Sequence, residues 1–414
     1  MSEPHERRAA VTGIGVVAPN GTSTDTFWKA TQEGLSVLGR VTREGCEHLP
    51  LKVAGEVRDF DPGVTIEERF LVQTDRFTHF AMAAADFALD DARLGQAETS
   101  VEPYSIGVVT AAGSGGGAFG QRELQQLWGK GSRFVGPYQS IAWFYAASTG
   151  QISIRRKFKG PCSVVASDEA GGLDALAHAA RAVRRGTDVI VAGSTEAPLA
   201  PYSVVCQLGY EELSRETDPS RAYRPFTDTA CGFVPAEGGA MLVVEAERSA
   251  RERGAPVRAF VAGHAATFTG ASRWAESRVG LAQAVRQALD EAGCAPEEID
   301  VVFADALGVP EADRAEALAL ADALGAHGAR VPVTAPKAGT GRGYCAAPVL
   351  DTAAAVLAME HGVIPPTPNV VDVCHDLDLV TGHARVAEVR TALVLSRGLM
   401  GSNSALVLRH GATQ

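Results

Sequence analysis

Cys162-Ser-Val-Val-Ala-Ser-Asp-Glu169-Ala-Gly-Gly-Leu-Asp-Ala-Leu176 passes from a strand-like run to a helix with almost nothing between them. The apolar run ends at Ala166 and small-residue helical spacing begins near Ala170. The chain must therefore turn sharply and present one side chain at a helix N-terminus. That side chain is Glu169, preceded by Asp168. Backbone N–H groups and the helix dipole favour negative charge there, so a Cys would be a nucleophile of lowered pKa. A carboxylate is expected to be exposed, to stay ionised, and to be a poor acceptor for an acyl group delivered as a thioester. Ordinary helix capping is the plainer alternative for an acidic residue at this place.

Outward from this elbow, strand-length apolar runs alternate with amphipathic helices. Ala9 to Val17 reads as a strand closed by the turn signal Pro19-Asn20-Gly21, residues 79–94 as a helix, and Ser105 to Ala111 as the next strand. A helix over 171–185 and a buried strand from Asp188 to Ala192 follow. The second half repeats the plan. Arg258-Ala-Phe-Val-Ala-Gly263 echoes Arg8-Ala-Ala-Val-Thr-Gly13, a helix over 279–293 precedes a strand from Ile299 to Ala304, and Thr391 to Ser396 turns through Gly398-Leu-Met-Gly-Ser402 into Ser404 to Arg409. Alternation of this kind predicts mostly parallel sheets covered on both faces. The echo predicts two similar α/β halves, residues 1–250 and 251–414, joined through the charged stretch 244–257.

With 414 residues, 46% of them hydrophobic, the chain is long enough for two core-forming halves. The net charge of −11 argues against a nucleic-acid surface. The basic clusters at Arg155, Arg156 and Lys157 and at Arg181, Arg184 and Arg185 read as solvated faces, with docking of an acidic carrier protein the lesser alternative. Seven cysteines lack CxxC or metal-ligand spacing, as reduced cytosolic thiols would. No apolar stretch reaches the length of a membrane span, so a soluble, cytoplasmic protein is expected.

Two glycine runs imitate nucleotide loops. Gly115 to Gly120 fits GxGxxG but no acidic residue follows at the ribose distance, and Gly339-Thr-Gly-Arg-Gly343 lacks the GK[ST] ending. Neither argues for a cofactor, and no metal motif is present; none is expected.

Taken in order, these residues resemble the ketosynthase branch of the thiolase superfamily over nearly the whole chain, from about residue 9 to about residue 410. The resemblance rests on Val11-Thr-Gly-Ile-Gly-Val-Val-Ala-Pro-Asn20, Gly172-Leu-Asp-Ala175, Asp188-Val-Ile-Val-Ala-Gly-Ser-Thr-Glu196, Arg224-Pro-Phe-Thr-Asp228 and Glu237-Gly-Gly-Ala240. It implies a thiolase-like fold, two βαβαβαββ halves stacked as α-β-α-β-α layers. It also places the family's acylated Cys on Glu169, its first catalytic His on Asp305, with Asp313 and Glu316 behind it, and its second, five residues after Lys337, on Arg342. The Cys-His-His set is absent in all three places. Without a thiolate no acyl-enzyme forms, and without imidazoles an enolate lacks its donors. Asp305 is further expected to add negative charge where negative charge must develop.

Chain length factors of type II polyketide synthases are the branch with this pattern, usually with Gln in place of Cys. Trp143-Phe-Tyr-Ala-Ala-Ser-Thr-Gly-Gln-Ile-Ser-Ile154 and Thr334-Ala-Pro-Lys-Ala-Gly-Thr-Gly-Arg342 are similar to that branch in particular. The resemblance implies a subunit without catalysis of its own. Such a subunit forms a heterodimer with a catalytic ketosynthase, which condenses malonyl units carried on an acyl carrier protein. It also shapes the tunnel that fixes product length. The matching tunnel positions are Gly117, Gly120 and Leu124, with Tyr202 on a neighbouring loop. Two glycines and a leucine leave room, so a comparatively long product is expected, and Phe at both glycines should shorten it. Backbone turns alone are the other account of the glycines. The alternatives are a malonyl decarboxylase for priming, a purely stabilising partner, or an active synthase using Cys162, Cys231 or Cys345, each of which reads more simply as a small buried residue.

Overall fold

The computed structural model describes residues 7–94, 101–270 and 274–412; the charged residues 1–6 lie outside them. Strand Ala9–Val17 runs antiparallel to Gly238–Ala246, which runs antiparallel to Val189–Glu196. Ile106–Ala111 and then Cys162–Val165 add parallel strands out to the edge. In the second half Ala259–Phe268, Ser402–His410 and Thr391–Arg397 pair antiparallel in turn, and Val301–Phe303, Pro332–Thr334 and Asp378–Leu379 extend the sheet in parallel. The two sheets touch where Ala10 and Val11 pair with Phe260 and Ala259, so eleven strands form one continuous path.

Alternation along the strands sorts the layers. Leu242 and Val244 face inward onto helices Gly171–Arg184 and Ala346–His361, while Met241 and Val243 face outward onto helix Arg76–Asp91. Val394 and Leu406 meet the same two central helices from the other side, and Leu393 and Val407 face the outer helices Trp274–Ala292 and Pro310–Leu324. The result is α-β-α-β-α, with the central helices shared by both halves.

The internal echo has a steric cause. A Cβ on Gly13 would overlap the Ala88 carbonyl and lie 2.7 Å from Ala92 N; one on Gly263 would overlap the Ala288 carbonyl and lie 2.7 Å from Ala292 N. In both halves the first strand needs a glycine because an alanine-rich helix lies directly on its backbone.

Three local expectations are revised. The joint starts at Glu247, because Val244, Glu245 and Ala246 complete a buried strand. Val189–Glu196 runs four residues beyond the expected Ala192 and so carries Glu196 into the interior. The basic clusters are mixed: Arg155 pairs with Glu67 at 2.6 Å and with Asp86, Arg156 donates to Asp86 at 2.7 Å and Arg184 reaches Glu291 at 2.7 Å, whereas Lys157, Arg181 and Arg185 are exposed as expected. No helix among the described residues is long and apolar enough to cross a membrane.

Candidate functional site

The elbow is made by Asp168, whose φ of 55° lies in the left-handed region that Asp tolerates better than most residues. Glu169 follows, and it is buried. It does not cap helix Gly171–Arg184, which starts without a side-chain cap. Its Oε2 instead accepts the Leu399 N–H at 2.9 Å, while Asp168 accepts the Met400 N–H at 2.7 Å. The turn 398–402 thus closes over the elbow. Burial first, and the neighbouring Asp168 second, push the Glu169 carboxyl well above the usual carboxylate range, against the pull of Arg342. The carboxylate expected to be exposed and ionised is instead buried, where its ionisation is disfavoured.

Asp305 and Arg342 are brought together behind it. Asp305 Oδ1 accepts from Arg342 Nη1 at 2.8 Å and from the Arg397 N–H at 2.9 Å, and Oδ2 accepts from Arg397 Nε at 3.1 Å. Arg342 also donates to the Arg397 carbonyl. Arg397 Nη2 reaches Glu316 Oε2 at 2.9 Å, and Glu316 Oε1 accepts the Asp305 N–H at 2.7 Å. Lys337 Nζ donates to the Ala304 carbonyl at 2.8 Å and pairs with Asp351 at 2.6 Å. Burial works against an ionised Asp305, yet Arg342, Arg397 and Lys337 together outweigh it and hold its pKa at about 2. Asp305 is charged, as the sequence suggested, but its charge is consumed by two guanidiniums and is not offered to a substrate.

Asp313 sits beside this set, accepting the Phe226 and Gly308 N–H groups at 2.8 and 3.0 Å, with burial raising its pKa to about 7. On the other flank Glu196 accepts from Gly113 N–H at 2.5 Å and from Ser114 Oγ at 2.5 Å; burial raises it to about 7 despite these donors. Cys345 lies against the elbow, donating to the Asp168 carbonyl at 2.9 Å. Its burial, then Glu196, Glu169 and Asp168, push the thiol well above its usual value, so it is the opposite of an activated nucleophile. All seven cysteines are free; Cys162 and Cys231 are exposed, not buried as expected.

The tunnel candidates occupy a second region, reached through the loop that leaves Gly113 and Ser114. Gly117, Gly120 and Leu124 share a face of helix Gly117–Lys130 at helical spacing. Tyr202 lies not on a loop but on the short helix Pro201–Gln207, and it is exposed. Room remains at Gly120, where a Cβ would sit 3.7 Å from Trp143 Cβ. At Gly117 a Cβ would come within 2.0 Å of Ser203 Oγ, so a side chain fits there only if that hydroxyl rotates away. Trp143, Phe144 and Tyr145 are exposed rather than core rings, and Trp128, Tyr138 and Ile141 are exposed with them. Among these, Trp143, Phe144 and Tyr145 form one ring cluster, with centroids 6.3 and 6.4 Å apart.

Sequence reasoning passed over Arg397, Asp351 and Glu196. A signal existed for the first two. Arg397 ends the fully buried run Thr391–Arg397, and Asp351 interrupts the apolar helix Ala346–His361. A lone charge in such a place demands a buried partner.

Residues 6–250 match the family description "Beta-ketoacyl synthase, N-terminal domain" and residues 258–371 "Beta-ketoacyl synthase, C-terminal domain". The chain is 78% identical, over 98% of its length and 96% of the relative's, to a Streptomyces coelicolor protein named "Putative polyketide beta-ketoacyl synthase 2". Its fold is similar to "The ishigamide ketosynthase/chain length factor", with a TM-score of 0.89 and 28% identity over 98% of this chain and 99% of that one. It is also similar to a chain of a type II PKS acyl-carrier protein in complex with its ketosynthase bound to the hexaketide, with a TM-score of 0.87 and 27% identity over 98% and 99% of the two chains.

Proposed function

Since the chain belongs to the beta-ketoacyl synthase family, we propose that it is the chain length factor of a type II polyketide synthase. In this reading it has no catalysis of its own, pairs with a catalytic ketosynthase and shapes the tunnel that sets product length. One observation carries the reading: the acyl-accepting corner holds a buried carboxyl in place of a thiol, and it uses up the Leu399 N–H at 2.9 Å. A main-chain donor aimed at that corner is what an acyl oxyanion would need, and here Glu169 occupies it. The places of the two imidazoles are taken by Asp305 and Arg342, which pair with each other at 2.8 Å; Arg342 Nε keeps no partner among the described residues, but the pairing holds the guanidinium charged, so it is a poor proton donor to an enolate.

The exposed rings around Trp143 and the half-exposed Leu124 then have a natural use. The partner's thiol holds the growing chain, and this subunit supplies the wall against which it extends. Carrier-protein contact belongs to the assembled pair, and a cytoplasmic site of action accompanies this reading. The division into halves 1–250 and 251–414 remains part of it.

The test is reconstitution with a ketosynthase and malonyl-loaded carrier protein. The chain alone, and its Glu169→Cys variant, are expected to gain no acyl adduct by intact mass and to release no CO2; polyketide forms only with the partner. CO2 release by the chain alone would replace this reading with the priming decarboxylase.

A further inference from the structure

We infer that Asp168 is a loading determinant: by clasping the turn 398–402 over Glu169 it shuts the elbow to any thioester-bearing arm, so that the assembled pair is acylated only on the partner. The inference rests on the reading of this chain as the subunit without catalysis of its own, and deepens it.

The turn is made to hinge. Its base is fixed, because Arg397 pairs with Asn403 and Ser402 with Phe268 in the sheet, and the Arg397 guanidinium is held by Asp305 and Glu316. Its tip, Leu399 and Met400, lies between Gly398 and Gly401, the latter with a φ of 104°. Glycines on both sides of a short tip leave its path free to change. Acid side chains hold the tip down. The Met400 N–H donates to Asp168 Oδ2 at 2.7 Å and the Leu399 N–H to Glu169 Oε2 at 2.9 Å. Met400 is 57% exposed and Glu169 only 3%, so the tip is the outer surface and the elbow lies under it.

Asp168 is fitted to this task. Its φ of 55° is a conformation that persists where the surroundings over-determine it. Cys345 fixes it from behind by donating to its carbonyl at 2.9 Å. Its carboxyl also fills the space beside Gly398, where a Cβ would lie 1.9 Å from Oδ2. Gly398 is therefore a socket for the Asp168 carboxyl, and a side chain there would push that carboxyl off the turn. A residue at 168 without a carboxyl or amide would leave the socket empty and the Met400 N–H unheld.

The test uses the reconstituted pair with Glu169→Cys as a reporter thiol. The probe is chloroacetyl-pantetheine, an arm from which the sulfur displaces chloride to form a C–S bond, the thiol proton leaving with it as HCl. Peptide mass reads labelling at position 169 and separates it from the partner's thiol and from the exposed cysteines of this chain. Labelling is expected to be slow while Asp168 is present. Asp168→Gly, which suits the left-handed backbone, should speed it by about tenfold, the scale of one lost hydrogen bond. Asp168→Asn keeps an acceptor for the Met400 N–H without the charge and should label slowly. With Glu169 unaltered, deuterium exchange over residues 398–402 should quicken in Asp168→Gly and not in Asp168→Asn. Equal labelling of Asp168→Gly and its parent overturns the inference. Equally fast labelling of the Gly and Asn variants also overturns it, because the effect would then belong to charge beside the thiol. Polyketide formation by the native pair is followed alongside. If polyketide forms and labelling ignores position 168, the clasp falls and the length-setting reading stands; if none forms, the reading falls and the inference with it. Should Asp168→Gly fail to assemble by gel filtration, Gly398→Ala takes its place, and unchanged labelling in that variant overturns the inference.

Discussion

Asp305→Asn isolates the ion cluster that stands where catalytic imidazoles would be. Asn keeps the side chain's size but removes its charge, and it turns an amide towards guanidinium donors. Asp305 is fully buried, and it is the one carboxylate paired with Arg342 among the described residues. Arg397 keeps Glu316. The variant therefore strands one guanidinium, 3% exposed, without a counter-charge. Removing one partner of a buried pair costs about 3–5 kcal/mol, and the loss of hydrogen bonds from two further donors adds to the same end of the range. Part of this is recoverable, because Glu169 lies close enough to feel Arg342 although burial disfavours its ionisation. In the variant Glu169 is drawn towards ionisation, so the loss should shrink as pH rises, and Asp305→Asn/Glu169→Gln should lose more than the two single changes together. The assay is urea unfolding of the purified chain at pH 6 to 8 by tryptophan fluorescence. Trp274 is a local reporter, since the Arg397 guanidinium lies 5.4 Å from its ring centre. A loss below about 1 kcal/mol, the range of exposed pairs, would refute the claim that Asp305 is the structural counter-ion of Arg342.

Glu169→Gln should leave both the urea midpoint at neutral pH and the product length unchanged, because an amide of the same shape can still accept the Leu399 N–H and removes only a charge that burial already disfavours. Glu169→Ala should cost about 1–3 kcal/mol by stranding that donor, and equal midpoints for the two variants would contradict the assignment. Glu196, Asp313 and Asp351 have pKa values raised to about 7, 7 and 6, so the folded chain holds protons that the unfolded chain releases. Their contribution is intact below about pH 4 and declines as pH rises through 6 to 7, whereas that of Asp305 is lost only as pH falls towards 2. Urea midpoints should therefore be higher at pH 5 than at pH 8; a rise with pH would reverse the sign of the argument. Gly172→Ala should abolish soluble expression or lower stability by several kcal/mol, since its Cβ would overlap the Cys345 carbonyl and lie 2.9 Å from Val349 Cγ2, forcing the two central helices apart; near-normal stability would show that they can separate.

The fold was legible because period and glycine placement carried it. Ala9–Val17 follows its β-branched run to the residue, and the Gly13 and Gly263 echo reports the same helix-on-strand contact twice. Strand and helix ends were read less well, as at Val189–Glu196, because a Glu inside a strand looks like a boundary until a pair of N–H donors is found for it. At the site, the positions 169, 305 and 342 followed from the order of motifs, but their electrostatics did not. The ionisation of Glu169 depends on how deeply it is buried and on Asp168 and Arg342, the latter 173 residues away in sequence. Cys162 and Cys231 were misplaced for a related reason: an edge strand and a loop expose residues whose type alone suggests burial. At position 117 the sequence shows the absence of a side chain but not that Ser203 Oγ lies against it.

The replaced residues also explain one another. An Asp at 305 facing a neutral imidazole at 342 would be a buried charge with one guanidinium instead of two, and an Arg at 342 facing an imidazole at 305 would have no carboxylate at all. Either single replacement costs stability, whereas the pair returns a compensated cluster. Position 169 is tied to this cluster only through space, since Glu169 feels Arg342 but hydrogen-bonds to the turn rather than to the cluster. Positions 305 and 342 thus form an ion lock that only a matched exchange can reverse, whereas Glu169 is tied to the turn 398–402 through the Leu399 N–H. In the proposed reading of this chain as a length-setting subunit, what it offers a partner is its surface, the helix face around Gly120 and the exposed rings of Trp143, Phe144 and Tyr145.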